Sequence, residues 1–194
     1  LHVCVRNLEN INDTDKRSTH KLLGEVCMAA YYEGQSIKDD YVKYQTENTD
    51  FKTNICTESA RSFADIGDIV RGKDPFYGNT QESTQRDKLE KNLKKYFQQI
   101  HSEVTSDKNV ALKTRYQDGK DPDFFKLRED WWTANRHTVW KAITCNAGSG
   151  KYFRATCGGD NENTTIRTPS QCRCDDKPNT DPPTYFDYVP QFLR

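Results

Sequence analysis

The sequence has little apolar material for its length. Only 34% of its 194 residues are hydrophobic, 30% are charged, and the mean hydropathy is −1.00. It contains neither a run of about 20 apolar residues nor a signal-peptide pattern, so export and membrane attachment would be encoded elsewhere. Neither charge sign is in excess, because 29 Lys and Arg balance 29 Asp and Glu. Low hydrophobicity without a net charge argues against a disordered chain.

The sequence is rich in aromatic residues and cysteines, which can compensate for the small number of apolar residues available to form a core. There are 3 Trp, 10 Tyr and 9 Phe, which bring large buriable surfaces. The seven cysteines are Cys4, Cys27, Cys56, Cys145, Cys157, Cys172 and Cys174. Many cysteines beside a weak core are typical of an oxidising compartment, where each disulfide contributes ~2–4 kcal/mol. Because the count is odd and the chain ends directly after an apolar run, we expect an extracellular piece of a longer protein.

Helical periodicity dominates the first three quarters of the chain. Helices are predicted at residues 19–34, from Ser36 onward, at residues 55–71, at residues 85–104 and from Asp121 to Cys145. Gly34 and Gly72 serve as stop signals, and Asp39 supplies an acidic capping box for the second helix. Gly67 lies inside the third helix, where a closely crossing neighbour would explain it.

The fifth predicted helix is apolar around much of its circumference and is therefore expected at the centre of the bundle. Residues 146–183 are rich in Gly, Asn, Thr, Asp and Pro and contain three cysteines. They predict a long loop that disulfides hold in place, with short strands around Tyr152–Thr156 as a minor feature.

Several segments resemble catalytic or metal-binding motifs but lack residues that these motifs require. Residues 148–151 (GSGK) lack the first glycine, the following Ser or Thr and the preceding strand of a phosphate-binding loop. Cys172 and Cys174 are too close for a zinc knuckle, which favours disulfides. The four histidines are scattered, and no nucleophile accompanies them. We therefore expect no enzyme, no cofactor, no metal and no nucleic-acid partner.

Two weaker patterns each allow a functional interpretation and a simpler one. The triplets beginning at Asn12 and Asn163 fit N-glycosylation, although such triplets are frequent by chance in a chain of this composition. Trp132, Arg136 and Trp140 are spaced so that a guanidinium could stack between two indoles. That arrangement more often stiffens a packing seam than forms a ligand site.

Charge is polarised along the chain although its total is zero. Residues 1–60 hold 7 Lys and Arg against 10 Asp and Glu, whereas residues 86–115 hold 8 against 4. The basic segment includes Lys88, Lys91, Lys94, Lys95, Lys113 and Arg115. Lys88, Lys91 and Lys95 recur at helical spacing and form a stripe that suits sulfated glycans or anionic surfaces. The alternative is an ordinary solvated helix face.

Six blocks of sequence together resemble the alpha class of Duffy-binding-like domains. These blocks are residues 2–11 (HVCVRNLENI), 22–30 (LLGEVCMAA), 60–72 (ARSFADIGDIVRG), 131–145 (from WWTANR to VWKAITC), 172–174 (CRC) and 183–194 (PTYFDYVPQFLR). They span the whole chain in the expected order. The class belongs to erythrocyte membrane protein 1, a variant adhesin family of the falciparum malaria parasite.

The resemblance implies an all-α fold, a disulfide-stapled helical bundle of the Duffy-binding-like type with long irregular loops, truncated at both ends. It implies a partial domain over residues 1–194, with a helical core at 1–145 and a cysteine-containing loop at 146–183. Residues 184–194 would lead into a missing C-terminal helical hairpin. It also implies the bridge Cys27–Cys56, two bridges among Cys145, Cys157, Cys172 and Cys174, and a partner upstream for Cys4.

The function implied by the resemblance is adhesion to host receptors from the surface of infected erythrocytes, within a larger transmembrane protein. Expected partners are a host receptor or glycan (heparan sulfate, a blood-group sugar or complement receptor), antibodies, and adjacent domains of the same chain. Rosetting is part of this expectation. The alternative is an antigenically variable scaffold beside a neighbouring domain that makes the receptor contact.

Overall fold

The computed structural model describes residues 18–47, 54–74, 79–106, 110–117, 120–148, 155–158 and 165–194. Within these residues the chain forms five helices, which are α1 (Ser18–Glu47), α2 (Ile55–Arg71), α3 (Thr80–Ser106), α4 (Val110–Arg115) and α5 (Phe125–Ile143). Two-residue strands β1 (Cys157–Gly158) and β2 (Thr165–Ile166) pair antiparallel, and 3₁₀ turns cover Phe186–Tyr188 and Gln191–Leu193. This mostly helical architecture confirms the all-α expectation.

Helix α1 is continuous, so the predicted break between Gly34 and Ser36 is wrong. Gly34 is buried in the middle of α1 rather than at its end. A side chain there would collide with the end of α5, since a Cβ at Gly34 would lie 1.9 Å from the carbonyl oxygen of Ile143. Asp39 accepts a hydrogen bond from Gln35 instead of capping a new helix. The glycine therefore marks a close helix crossing, which looks the same as a stop signal in the sequence.

Helix α2 has the bounds that the sequence predicts. Asn54 caps its start by accepting a hydrogen bond from the Cys56 N–H at 2.9 Å, and Gly72 ends it in the left-handed region with φ 70°. Gly67 faces the indole of Trp132, and a Cβ there would lie 2.8 Å from the ring. The close crossing expected at Gly67 is thus present.

Helix α3 is longer than the predicted segment 85–104, whereas α4 was not predicted. Asn79 caps α3 in a reciprocal arrangement with Glu82, which starts the helix at Thr80. The buried side chains of α3 repeat at helical spacing and face the core; they are Leu89, Leu93, Tyr96, Phe97 and Ile100. Helix α4 has six residues and no buried side chain, so it leaves no hydrophobic period in the sequence.

Helix α5 lies at the centre of the bundle, as its apolar circumference predicts. It packs against α1 and α2, and at fewer points against α3. The Phe63 ring of α2 contacts both Trp132 and Trp140, and the Phe97 ring of α3 contacts Trp131. The helix begins at Phe125 rather than at Asp121. Asp121 still accepts a hydrogen bond from the Lys126 N–H at 2.9 Å.

The disulfides differ from the expected pairing. Cys56 bonds Cys172, with 5.5 Å between their Cα atoms, and Cys157 bonds Cys174. The expected bridge Cys27–Cys56 is therefore wrong, because Cys56 at the start of α2 meets the returning loop and not α1. Cys27 and Cys145 are free thiols in this structure, so of the two bridges expected among the last four cysteines only Cys157–Cys174 is formed.

Some expectations lie wholly or partly outside the described residues. Cys4, the triplets beginning at Asn12 and Asn163, most of the GSGK segment and residues 152–154 belong to this group. Among the described residues the strands begin directly after the predicted stretch, at Cys157, and the Thr156 N–H donates a hydrogen bond to the carbonyl oxygen of Ile166 at 3.1 Å.

The segment that follows the cysteine loop is held against α2 and α5 by buried charges. The Asp187 carboxylate accepts hydrogen bonds from the Arg136 guanidinium and from the indole N–H of Trp132, all at 2.8 Å. Arg136 lies over the rings of Phe63, Tyr185 and Tyr188 rather than between two indoles. Its role in this structure is to hold a packing seam.

Candidate receptor-binding surface

Three of the lysines singled out by the sequence line one exposed face of α3. Lys88, Lys91 and Lys95 are all exposed, and the apolar residues of the same helix point to the opposite side. At 1.5 Å rise per residue the first and last are ~10 Å apart along the helix. None of the three makes an ion pair within the part of the chain that the structure describes. We call these three residues the α3 lysine stripe.

The other predicted basic residues have different surroundings. Lys94 is exposed but forms an ion pair with Asp123 ahead of α5. Lys113 is exposed, but it lies on α4 and not on the helix that carries the stripe. Arg115 binds Asp130 through two hydrogen bonds of 2.6 Å. Lys94 and Arg115 are thus partly neutralised by neighbouring carboxylates, which weakens their contribution to an anion-binding surface.

The contact between Arg115 and Asp130 fixes the position of α4 on α5. The pKa of Asp130 is lowered, first by the hydrogen bonds from Arg115, and the pKa of Arg115 is raised by the same contact. The Tyr116 hydroxyl also donates to Asp130, at 2.7 Å, and burial raises the pKa of this tyrosine. Two neighbouring side chains, one at the end of α4 and one directly after it, therefore share one carboxylate of α5.

A cavity that sequence reasoning missed opens beside this contact. It has a volume of about 360 Å³ and lies between the end of α4 and the start of α5. Its lining includes His101, Tyr116, Gln117, Lys120, Phe124 and Lys126. No sequence pattern joins these residues, because they come from α3, a loop and α5. We call it the α4–α5 cavity.

Membrane-spanning helices and metal-binding clusters were considered next among the described residues. Among the described helices none is both long and apolar enough to cross a membrane. No group of three or more His, Cys, Asp or Glu within the described ranges is arranged to hold a metal ion. The described chain is thus a helical, disulfide-bonded module with a basic surface stripe.

Comparisons with known proteins place this module in a family. The family model described as the Duffy binding domain matches residues 1–194. The chain therefore belongs to the Duffy binding domain family, as its sequence blocks suggested. No curated protein matches the chain.

Three solved structures show the same fold. One is the structure of the N-terminal NTS-DBL1-alpha and CIDR-gamma double domain of the PfEMP1 protein from the Plasmodium falciparum varO strain. It is 40% identical to this chain, with a TM-score of 0.73, and the match covers 99% of this chain and 25% of that chain. Another is the structure of the ICAM-1-binding DBLbeta domain of PfEMP1 IT4var13. It is 30% identical to this chain, with a TM-score of 0.68, and the match covers 99% of this chain and 39% of that chain.

The same DBLbeta domain bound to ICAM-1 is similar at 30% identity and TM-score 0.65, covering 99% of this chain and 40% of that chain. The present chain thus spans between a quarter and two fifths of the length of these solved chains. Its helical bundle with few strands is the fold of the Duffy-binding-like domains of PfEMP1.

Proposed function

We propose that this chain is a host-receptor-binding adhesion module of a variant antigen on infected erythrocytes. The observation that carries the proposal is the α3 lysine stripe, whose three ammonium groups are exposed and have no described acidic partner. Such a stripe attracts sulfated or otherwise anionic host glycans. The solved DBLbeta relative that binds ICAM-1 supports receptor binding as a use of this fold.

The proposal extends to place and partners. The module would lie on the extracellular face of the infected erythrocyte membrane, within a larger transmembrane protein, as a partial domain over residues 1–194. Heparan sulfate fits the charge of the α3 lysine stripe, whereas blood-group sugars and complement receptor are alternatives without a charge argument. Lys94, Lys113 and Arg115 would belong to the outer part of the glycan contact.

The first experiment measures binding of the protein to uninfected human red cells, with and without soluble heparin, across a salt series. We expect binding that heparin blocks and that weakens as salt rises, because the Debye length falls from about 10 Å at 0.1 M to about 3 Å at 1 M. Replacing Lys88, Lys91 and Lys95 by Ala should weaken heparin binding about tenfold or more.

Against the stripe double variant Lys88→Ala with Lys91→Ala, the matched control that removes the same two charges replaces Lys38 and Lys43 of α1 by Ala. Both lysines are at least partly exposed and lie on a different helix from the stripe. Equal losses from the two sets would mean that net charge alone, and not the stripe, attracts heparin. Heparin binding that survives the triple substitution would remove the stripe from the contact.

A second candidate function is a structural and antigenically variable scaffold, in which a neighbouring domain engages the receptor. It is favoured by the short span of this chain within its solved relatives, one of which carries a CIDR-gamma domain beside the matching part. A folded sample that does not bind red cells under any salt condition would support the scaffold.

A further inference from the structure

Helix α1 carries large apolar side chains on the side that faces away from the core. Its buried apolar side chains pack in the core, and they are Leu22, Val26, Ala29 and Ala30. On the opposite side four apolar side chains are exposed within about 100° of one another around the helix. These four residues, which we call the α1 apolar face, are Met28, Tyr31, Tyr32 and Val42. Single exposed apolar residues are ordinary, but a row of four on one side of a helix indicates a binding surface.

The middle of the α1 apolar face is held in place by contacts within the protein. The Tyr31 and Tyr32 rings meet edge to face, with 5.6 Å between their centroids. The side-chain amide of Gln35, one turn further along, donates a hydrogen bond to Asp39 at 3.0 Å and accepts one from Asn146 at 2.9 Å. A partner can therefore cover Gln35 without leaving its carbonyl oxygen unpaired, and it meets two rings that already support each other.

The spacing along α1 fits a second helix that lies nearly parallel to its axis. Gly24, Met28, Tyr31, Gln35 and Val42 are separated by 4, 3, 4 and 7 positions, which is the repeat of a coiled-coil seam. Helices that pack through such a seam cross at about 20°, so they stay in contact over several turns. A Cβ at Gly24 would meet no atom of another element within 4 Å, so a partner's side chain has room there.

The charges beside the α1 apolar face are complementary to themselves. Glu25 and Lys43 lie on the same flank of α1, about five helical turns or ~27 Å apart, near opposite ends of the face. Neither forms an ion pair within the ranges that the structure describes. When two identical helices pack antiparallel about a two-fold axis, their like flanks meet, so Glu25 of each copy faces the partner's Lys43. The same register places the partner's Val42 opposite the turn between Gly24 and Met28.

We propose that the α1 apolar face is the interface of a two-fold symmetric homodimer, in which the α1 helices of two copies pack antiparallel. Contact between identical patches across a two-fold axis is the commonest form of homo-oligomer. One pair of helices buries an area at the low end for specific interfaces, so the dimer forms and dissociates with protein concentration. The inference goes beyond the proposed function, because it concerns contact between two copies of the chain and requires no receptor.

Sedimentation equilibrium over a concentration series up to about 0.5 mM measures the dimer Kd. Val42→Asp places an unpaired carboxylate in the seam and should raise this Kd about tenfold or more. Tyr44→Asp is the matched control, since Val42 and Tyr44 are both 51% exposed near the end of α1. Tyr44 is turned by about 200° from Val42 around the helix, so the control should leave the Kd within about twofold.

Exchange of the two flanking charges tests the antiparallel orientation. Glu25→Lys alone brings lysines together at both ends of the interface, and Lys43→Glu alone brings glutamates together, so each should raise the Kd about fivefold. The double variant Glu25→Lys with Lys43→Glu restores pairs of opposite sign and should return the Kd to within about twofold of the unsubstituted protein. For the same reason, a mixture of the two single variants should form heterodimers more readily than either variant associates with itself.

The interface is supported by a dimer that Val42→Asp weakens, that Tyr44→Asp leaves unchanged and that the double exchange preserves. Circular dichroism confirms that each variant keeps its helix content. A protein that stays monomeric throughout the series overturns the proposal, as does a dimer that Val42→Asp leaves intact or that both Asp variants weaken equally. A double exchange as weak as the single variants overturns the antiparallel arrangement.

Discussion

At the scale of single residues, the ion pair between Arg136 and Asp187 is the most deeply buried one among the residues that the structure describes. The Asp187 side chain is fully buried, and the Arg136 side chain is 4% exposed. Asp187→Asn leaves the guanidinium buried without its counter-charge, so we expect a loss of ~3–5 kcal/mol in the free energy of unfolding. Chemical denaturation with circular dichroism measures this loss.

Asp181→Asn is the matched control for that substitution. Asp181 lies 3.4 Å from the same guanidinium, but its side chain is 73% exposed. An exposed ion pair contributes about 0–1 kcal/mol, so the control should stay close to the unsubstituted protein. Equal effects of the two substitutions would contradict the assigned importance of the buried pair.

The two free thiols should differ in reactivity because they differ in burial. Burial raises the pKa of Cys27 from 9.0 to about 11, whereas Cys145 is exposed at the end of α5. At pH 8 a rise of this size lowers the thiolate fraction of Cys27 about 100-fold, and the thiolate is the reactive form. Brief treatment with iodoacetamide, followed by peptide mass spectrometry, should therefore find Cys145 modified and Cys27 largely unmodified.

Unfolding the protein in urea provides the control for the thiols. Both cysteines should then react at similar rates, because burial no longer separates them. Comparable modification in the native protein would mean that Cys27 is accessible, and the packing of α1 at that position would have to be looser than its burial indicates.

At the scale of elements, two glycines of α1 offer a direct comparison. Gly34→Ala would force a Cβ into the carbonyl of Ile143, so we expect destabilisation by ~1–3 kcal/mol, as for other overpacked sites. A Cβ at Gly24 would meet no neighbouring element within 4 Å, and Gly24→Ala should stabilise the helix by ~0.5–1 kcal/mol. Opposite shifts of the thermal midpoint would support the crossing.

Substitutions that shift the midpoint in the same direction would contradict the close crossing at Gly34. The comparison also separates two uses of glycine that one sequence cannot distinguish. Gly72 ends α2 through its left-handed backbone, while Gly34 permits a close approach inside a continuous helix. Both residues follow an apolar stripe in the sequence, and only the tertiary contact tells them apart.

Elements with a strong apolar period were predictable, and those without one were not. Helix α2 agrees with its predicted bounds because its cap, period and stop signal coincide. Helix α4 packs through polar contacts such as Arg115 with Asp130, which leave no hydrophobic pattern. For the same reason the exposure of the α3 lysine stripe was predictable, whereas the pairing of Arg115 and the α4–α5 cavity depend on residues that only the fold brings together.

At the scale of the whole molecule, the disulfides join parts that the sequence separates widely. The bond Cys56–Cys172 links residues 116 positions apart, whereas Cys157–Cys174 closes a separation of 17. No local pattern relates Cys56 to Cys172, so the pairing could not be derived from spacing. It ties the start of α2 to the loop whose Cys172 carbonyl accepts the indole N–H of Trp140 at 3.0 Å.

The two bonds should contribute unequally to stability. In the chain-entropy model the larger loop restricts the unfolded state more, by about 2 kcal/mol for this difference in length. Replacing Cys56 and Cys172 by Ala should therefore lower the free energy of unfolding by ~2–5 kcal/mol, and by more than replacing Cys157 and Cys174 does. Denaturation of both double variants in parallel measures the difference. A larger loss from the Cys157–Cys174 pair would mean that the cysteine loop, and not the long-range tie to α2, limits the stability of this thin-cored domain.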